Sequence, residues 1–102
     1  MTIRLVADEQ GRFGFNVRGG IDLQLPVLVS RVAPHTPADR TNPRICEGDQ
    51  VIMINGRDVN GLMHEQVVSL IRSSREFRTG ELVLTVKPNG KFNLVLSQLK
   101  II

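Results

Sequence analysis

A chain of 102 residues, 41% hydrophobic and 23% charged, has room for one compact core and the composition of an ordinary folded domain. Its net charge of +3 and four aromatic residues, all Phe, argue against nucleic-acid binding through a basic stripe with stacking platforms. A single cysteine, Cys46, excludes an internal disulfide framework, and no apolar run is long enough to span a bilayer. These features predict a monomeric cytoplasmic module that uses no cofactor.

Strands open the chain. Thr2 to Ala7 alternates through Ile3 and Leu5, and Phe15 to Arg18 repeats the period of two with Phe15 and Val17 on one face. "PVLVSRV" (Pro26 to Val32) is a nearly continuous apolar and β-branched run, which predicts a strand covered on both sides. Pro34 and Pro37 end it and leave space for only a short helical turn near Ala38 to Arg40.

"EGDQVIMINGRDV" predicts a turn at Glu47-Gly48-Asp49, a strand through Ile54, a tight turn at Asn55-Gly56 and a return through Val59. From Met63 to about Ser73 the period lengthens to that of a helix. His64, Val68 and Ile71 share one face, while Val67 and Leu70 turn toward the core. "ELVLTV" (Glu81 to Val86) is a last alternating strand, and Pro88-Asn89-Gly90 stops the domain. The order predicts a mainly β fold with two helices, a small antiparallel β-sandwich or partly open barrel. Residues 1–89 form the domain and 90–102 a C-terminal tail or extension.

The segment "GRFGFNVRGG" sets glycines around two phenylalanines. At Gly14 the backbone can turn sharply and aim successive N–H groups outward, with Phe13 and Phe15 walling an apolar hollow beside them. Such a loop suits an anion next to an aliphatic group, as at the C-terminus of a peptide. Taken alone, the stretch is better explained by plain turn glycines and core phenylalanines.

In their common order, "RFGF", "NVRGG", "PVLVSRVAPHTPAD", "EGDQVIMINGRDV" and "HEQVVSLI" resemble a PDZ domain over roughly residues 2 to 88. The similarity is greatest to the PDZ domains of cytosolic FERM-containing, non-receptor protein tyrosine phosphatases. The resemblance implies a scaffold for protein–protein interaction, cytoskeleton-associated through its parent protein. Its groove, between strand 15–18 and helix 63–73, would bind the C-terminal tails of membrane or cytosolic proteins by strand addition.

By the family pattern the N–H groups of Phe13, Gly14 and Phe15 hold the ligand's carboxylate, assisted by the charge of Arg12. Phe13, Phe15, Val17 and Ile71 line a pocket for its last side chain, with Val68 at the rim. His64 pairs with a Ser or Thr hydroxyl two residues before the end, and Asn16 and Ser30 face the upstream part. The implied ligand ends in Ser/Thr-x-Val/Ile/Leu. Many relatives have Ser or Thr before this His as helix N-cap; Met63 stands there instead, so Asn60 caps from further back or the helix start is looser.

Rival chemistries fare worse. Cys46 lacks the arginine six residues on that a phosphatase loop needs, since Ile52 stands there, and the glycines do not make Gly-x-Gly-x-x-Gly. Neither a catalytic nor a metal site is expected. The alternative that survives is weak contact with an anionic membrane surface through Arg12, Arg18, Arg72, Arg75 and Arg78.

Overall fold

The computed structural model describes residues 1–89; the predicted tail lies outside the described residues. Six strands, β1 (Thr2–Val6), β2 (Phe15–Gly20), β3 (Leu25–Val32), β4 (Gln50–Ile54), β5 (Arg57–Asp58) and β6 (Glu81–Lys87), are joined in one sheet. One α-helix, α1 (His64–Ser73), completes the domain.

The strand order is β1-β6-β4-β3-β2 with every pair antiparallel, and β5 folds back on β4. Because β1 and β2 stand at opposite ends of that order, the sheet is open. The expected sandwich or barrel is corrected in this respect: among the described residues β2 keeps a free edge, the feature on which strand addition depends.

Alternation explains how the sheet packs. Ile3 and Leu5 of β1, Val27 and Val29 of β3, and Leu82, Leu84 and Val86 of β6 all turn inward and are buried. Val67, wholly buried, brings α1 onto this core, and Ala38 and Ile45 close it from the connection between β3 and β4. Burying a valine side chain in this way contributes about 1.5 to 3 kcal/mol.

Two further expectations are revised. The second helix is only a 3-10 turn, Pro37–Arg40, because Pro37 starts it and Thr41 is already back in extended backbone at φ −70° and ψ 152°. Pro43 then disfavours a helical conformation for Asn42, so the turn cannot propagate. Likewise β3 is covered on one face alone: Val27 and Val29 are buried whereas Pro26, Ser30 and Arg31 are exposed.

The turns behave as their residues dictate. Asn55 takes the left-handed conformation at φ 52° and Gly56 follows at φ 80°, closing the β4–β5 hairpin. Asp49, almost fully buried, accepts the N–H of Cys46 at 2.9 Å and that of Asn89 at 2.7 Å, which ties the start of β4 to the chain beyond β6.

Candidate functional site

Between the free edge of β2 and α1 runs a groove of about 660 Å³. All ten residues singled out in the sequence line it: Arg12, Phe13, Gly14, Phe15, Asn16, Val17, Ser30, His64, Val68 and Ile71. Phe13 is its deepest member, buried in the core, while Phe15, Val17 and Ile71 are half-buried and pack against that core. Asn16 and Ser30 are exposed on the two adjacent strands, and Asn16 faces Arg31 across the β2–β3 ladder.

The conformation of the loop before β2 follows from its hydrogen bonds. The carbonyl of Phe13 accepts the N–H of Ala38 at 2.9 Å, and that of Gly14 accepts the N–H of Ala33 at 2.8 Å. In a trans peptide the C=O and the following N–H point opposite ways, so the amides of Gly14 and Phe15 are directed away from these partners. Among the described residues, neither Phe13 nor Gly14 has its N–H in a hydrogen bond. The bend therefore presents donors beside an apolar floor.

Gly14 is required there for two reasons. Its φ is +96°, and a Cβ at this position would collide with the side chain of Thr36. Thr36 is itself fixed, buried and donating its hydroxyl to the carbonyl of Ala33 at 2.8 Å. The glycine among phenylalanines thus lets the chain bend tightly over Thr36 while the aromatic rings stay in the apolar layer.

His64 opens α1 and is held from two sides. Its Nδ1 lies 2.9 Å from the carbonyl oxygen of Gly19, and its backbone N–H donates to Asp22 Oδ1 at 2.9 Å. A carbonyl can only accept, so Nδ1 carries the proton in this contact and the neutral ring keeps Nε2 as an acceptor. The imidazole is oriented by the strand across the groove.

Asp22 also answers the question of the helix cap. Met63 offers no side-chain acceptor, and among the described residues no N–H of α1 donates to the Asn60 side chain, whose own backbone N–H is bound to Asp58 Oδ1 at 2.8 Å. A carboxylate from the short 3-10 turn Ile21–Leu23 takes the exposed N–H instead, and its negative charge complements the helix N-terminus. Gln66 closes the other half by accepting the N–H of Met63 at 2.8 Å.

Charge gathers at the opposite end. Arg72 and Arg75 join Arg12 in lining the groove near the loop. Arg12 is less available than its position suggested, because its Nε is paired with Asp8 Oδ2 at 3.2 Å. Arg75, in the 3-10 turn Ser74–Glu76 that follows α1, donates from Nη1 to the carbonyl of Gly11 at 2.9 Å. In the sequence Arg75 was grouped with the other arginines of a basic surface; its place just beyond the end of α1, next to the loop, comes from the 3-10 turn that the sequence reading did not foresee.

Among the described residues no cluster of His, Cys, Asp or Glu could hold a metal ion, and no helix is long and apolar enough to cross a membrane. Cys46 is exposed and free.

A family model for the PDZ domain matches residues 2–87. The human "Tyrosine-protein phosphatase non-receptor type 4" is 55% identical over 98% of this chain, and "Tyrosine-protein phosphatase 1" of Caenorhabditis elegans is 54% identical over 87% of it. Mouse whirlin is 32% identical over 87% of the chain. The chain spans only about a tenth of these relatives, 11% of the human phosphatase and 9% of the other two. Among solved structures, the second PDZ domain of Dlg1 from the choanoflagellate Monosiga brevicollis superposes with a TM-score of 0.73 at 26% identity, covering 87% of this chain and 98% of that one. With a groove between a free strand edge and a helix, donors at its closed end and the family's sequence over nearly the whole described length, this chain belongs to the PDZ family of peptide-binding interaction modules.

Proposed function

We propose that the module docks the C-termini of partner proteins ending in Ser/Thr-x-Val/Ile/Leu. The observation that carries this reading is the arrangement of the Phe13-Gly14-Phe15 bend, whose carbonyls are bound internally and whose amides at Gly14 and Phe15 point away from those partners. A terminal carboxylate meets these donors in the positive field of Arg72 and Arg75. The ligand then continues antiparallel to β2, its main chain satisfying the edge that the open sheet leaves unpaired.

Side chains supply the selectivity. The ligand's last residue enters the hollow formed by Phe13, Phe15, Val17 and Ile71, where burying a Val or Leu is worth about 1.5 to 3 kcal/mol before ordering costs. Two residues upstream, a Ser or Thr hydroxyl donates to Nε2 of His64, the nitrogen left free by the Gly19 contact. Asn16 and Ser30 face the residues between and beyond. So small an interface supports dissociation constants on the order of micromolar.

The test is a pair of peptides that differ only in a free or amidated C-terminus, titrated calorimetrically. Loss of most binding on amidation supports the carboxylate loop; undiminished affinity refutes it. A membrane-surface role through the arginines is less favoured, because Arg12 is committed to Asp8 and Arg75 to the loop carbonyl of Gly11.

A further inference from the structure

The sequence contains three Asn-Gly pairs, at residues 55–56, 60–61 and 89–90. This dipeptide carries a chemistry of its own. The main-chain nitrogen of the residue after an asparagine can attack the side-chain carbonyl carbon Cγ, and glycine, having no Cβ, hinders that approach least. The reaction needs an unbound amide, an unbound nucleophile and slack in the turn. The fold supplies these to one pair of the three.

Asn55 and Asn89 are held. Nδ2 of Asn55 donates to Ser74 Oγ at 2.8 Å and its Oδ1 accepts the N–H of Val83 at 2.9 Å, so turning the amide toward Gly56 breaks two hydrogen bonds. Nδ2 of Asn89 donates to the carbonyl of Glu47 at 2.9 Å, and its main-chain N–H to Asp49 Oδ1 at 2.7 Å. Asn60 and Gly61, by contrast, are both exposed. Among the described residues neither the Asn60 side chain nor the Gly61 N–H forms a hydrogen bond, and a Cβ at Gly61 would meet nothing within 4 Å. The turn around them is closed by a single main-chain bond, from the N–H of Leu62 to the carbonyl of Val59 at 3.0 Å.

We infer that Asn60 is a site of spontaneous deamidation, with water as the only co-reactant, and that the product loosens the start of α1. The Gly61 nitrogen gives its proton to solvent base and bonds to Cγ of Asn60; the Cγ–Nδ2 bond breaks, and ammonia leaves with a proton from solvent. Water then opens the cyclic imide, with no change of oxidation state. Cleavage between Cγ and the Gly61 nitrogen gives aspartate. Cleavage at the main-chain carbonyl gives isoaspartate, in which the chain runs through Cβ and Cγ and is one carbon longer.

The position of the turn gives the product its effect. Val59 and Leu62 are buried on either side and fix its ends, so an added backbone carbon displaces one of them. Leu62 gives its carbonyl to the N–H of Ile21 at 2.8 Å and leads through Met63 into His64. Both products also place a new carboxylate close to that of Asp58, whose Oδ1 holds the N–H of Asn60 at 2.8 Å. The modification itself is independent of what the groove binds; a loss of peptide affinity through His64 rests on the proposed peptide binding.

The test is to incubate the whole chain at mildly alkaline pH, folded and in guanidinium chloride, and to follow each Asn-Gly pair by peptide mapping with mass spectrometry. Enzymatic methylation of isoaspartyl carboxylates gives a second readout. In denaturant the three pairs are expected to react at similar rates. In the folded protein Asn60 is expected to keep its rate within about tenfold, whereas Asn55 slows by about a hundredfold, the factor that two hydrogen bonds allow. The purified isoaspartyl form is expected to unfold at lower urea and to bind a free-acid peptide about tenfold more weakly. Aged Asn60→Gln protein should keep both properties, and freshly prepared Asn60→Asp, which has the charge without the added carbon, should resemble fresh wild type. An intact amide at Asn60 in folded protein while the denatured chain reacts, or reaction at Asn55 as fast as at Asn60, overturns the site. Isoaspartate at Asn60 with unchanged stability overturns its effect on α1. If fresh protein binds no free-acid peptide, the groove reading fails, and the urea midpoint of the isoaspartyl form still decides this inference.

Discussion

Asp22 and His64, 42 positions apart, meet through a single hydrogen bond of 2.9 Å from the histidine's backbone N–H to the aspartate's Oδ1. One carboxylate thereby closes the first turn of α1 and sets the distance between that turn and the β2–β3 connection. Helix, strand edge and histidine ring form one unit, because the same histidine reaches back to Gly19 through Nδ1.

Replacing Asp22 by Ala is expected to cost about 0.5 to 2 kcal/mol of folding stability, the usual worth of an N-cap side chain. Asp22→Asn keeps an acceptor and loses the charge, so it is expected to retain most of the stability. Urea denaturation of the three proteins orders them. Peptide affinity should follow the same order, since the cap positions His64; an Asp22→Ala protein with full stability and full affinity would show that the contact is incidental.

For His64 itself, the free Nε2 predicts that His64→Ala weakens binding of a Ser- or Thr-containing peptide about tenfold, the loss of one hydrogen bond to a desolvated acceptor. A peptide with Val at that position should be affected far less. Calorimetric titration of both peptides against wild type and His64→Ala checks this; an equal loss for the two peptides would exclude the ring as the hydroxyl's partner.

Much of this groove was legible before any coordinates. The period of two at Phe15 and Val17 and the helical spacing of His64, Val68 and Ile71 are local signals, and both sets line the groove. Family resemblance joined them into a site. Asp22 was not legible as the helix cap, because its partnership with His64 depends on how the sheet turns back toward α1 and leaves no trace in the neighbouring residues. The faces of β3 were misread for a related reason: an unbroken run such as Val27-Leu28-Val29 does not reveal which side meets water, and the exposed Ser30 and Arg31 belong to the open face. The short helical turn expected near Ala38 is present as the 3-10 turn Pro37–Arg40, held to that length by the prolines at 37 and 43.

Gly14→Ala is expected to destabilise the fold by about 1 to 3 kcal/mol, combining a strained positive φ with a displaced Thr36. Peptide binding should fall further than stability does, because the shift occurs where the amides point. Comparing denaturation midpoints with calorimetric affinities at a temperature where the variant remains folded checks both parts. Unchanged binding in a folded Gly14→Ala protein would remove this bend from the recognition surface.

Acid stability turns on Asp8 and Asp39, whose carboxyls are both held below the ordinary carboxylate range. For Asp8 the largest cause is the backbone N–H of Arg12, and for Asp39 that of His35. A depressed folded value means that the contribution is present above the unfolded value and is lost as pH falls through the folded one. Stability should therefore decline below about pH 4, with Asp8→Asn and Asp39→Asn each flattening part of the slope. Because main-chain donors outweigh the Arg12 and Arg44 charges, 0.5 M salt should leave most of this slope in place; a slope abolished by salt would assign it to the ion pairs instead.

Asn55 ties three elements together from inside a turn. Its Nδ2 donates to Ser74 Oγ at 2.8 Å, its Oδ1 accepts the N–H of Val83 at 2.9 Å, and Ser74, fully buried, passes its own proton to the carbonyl of Leu70 at 3.1 Å. The hairpin is thereby locked to the end of α1 and the middle of β6, opposite the groove's histidine. Asn55→Ala strips a donor from Ser74 and an acceptor from Val83 and places Ala at a positive φ, so the expected cost is about 2 to 4 kcal/mol. Ser74→Ala removes only the hydroxyl between Asn55 and Leu70 and should cost less. The double variant is expected to fall short of the sum of the two, since both act on one network, and urea denaturation of the four proteins measures that coupling. Additive losses would mean that Asn55 acts through its backbone conformation, with the hydrogen-bonded chain to Leu70 contributing nothing of its own.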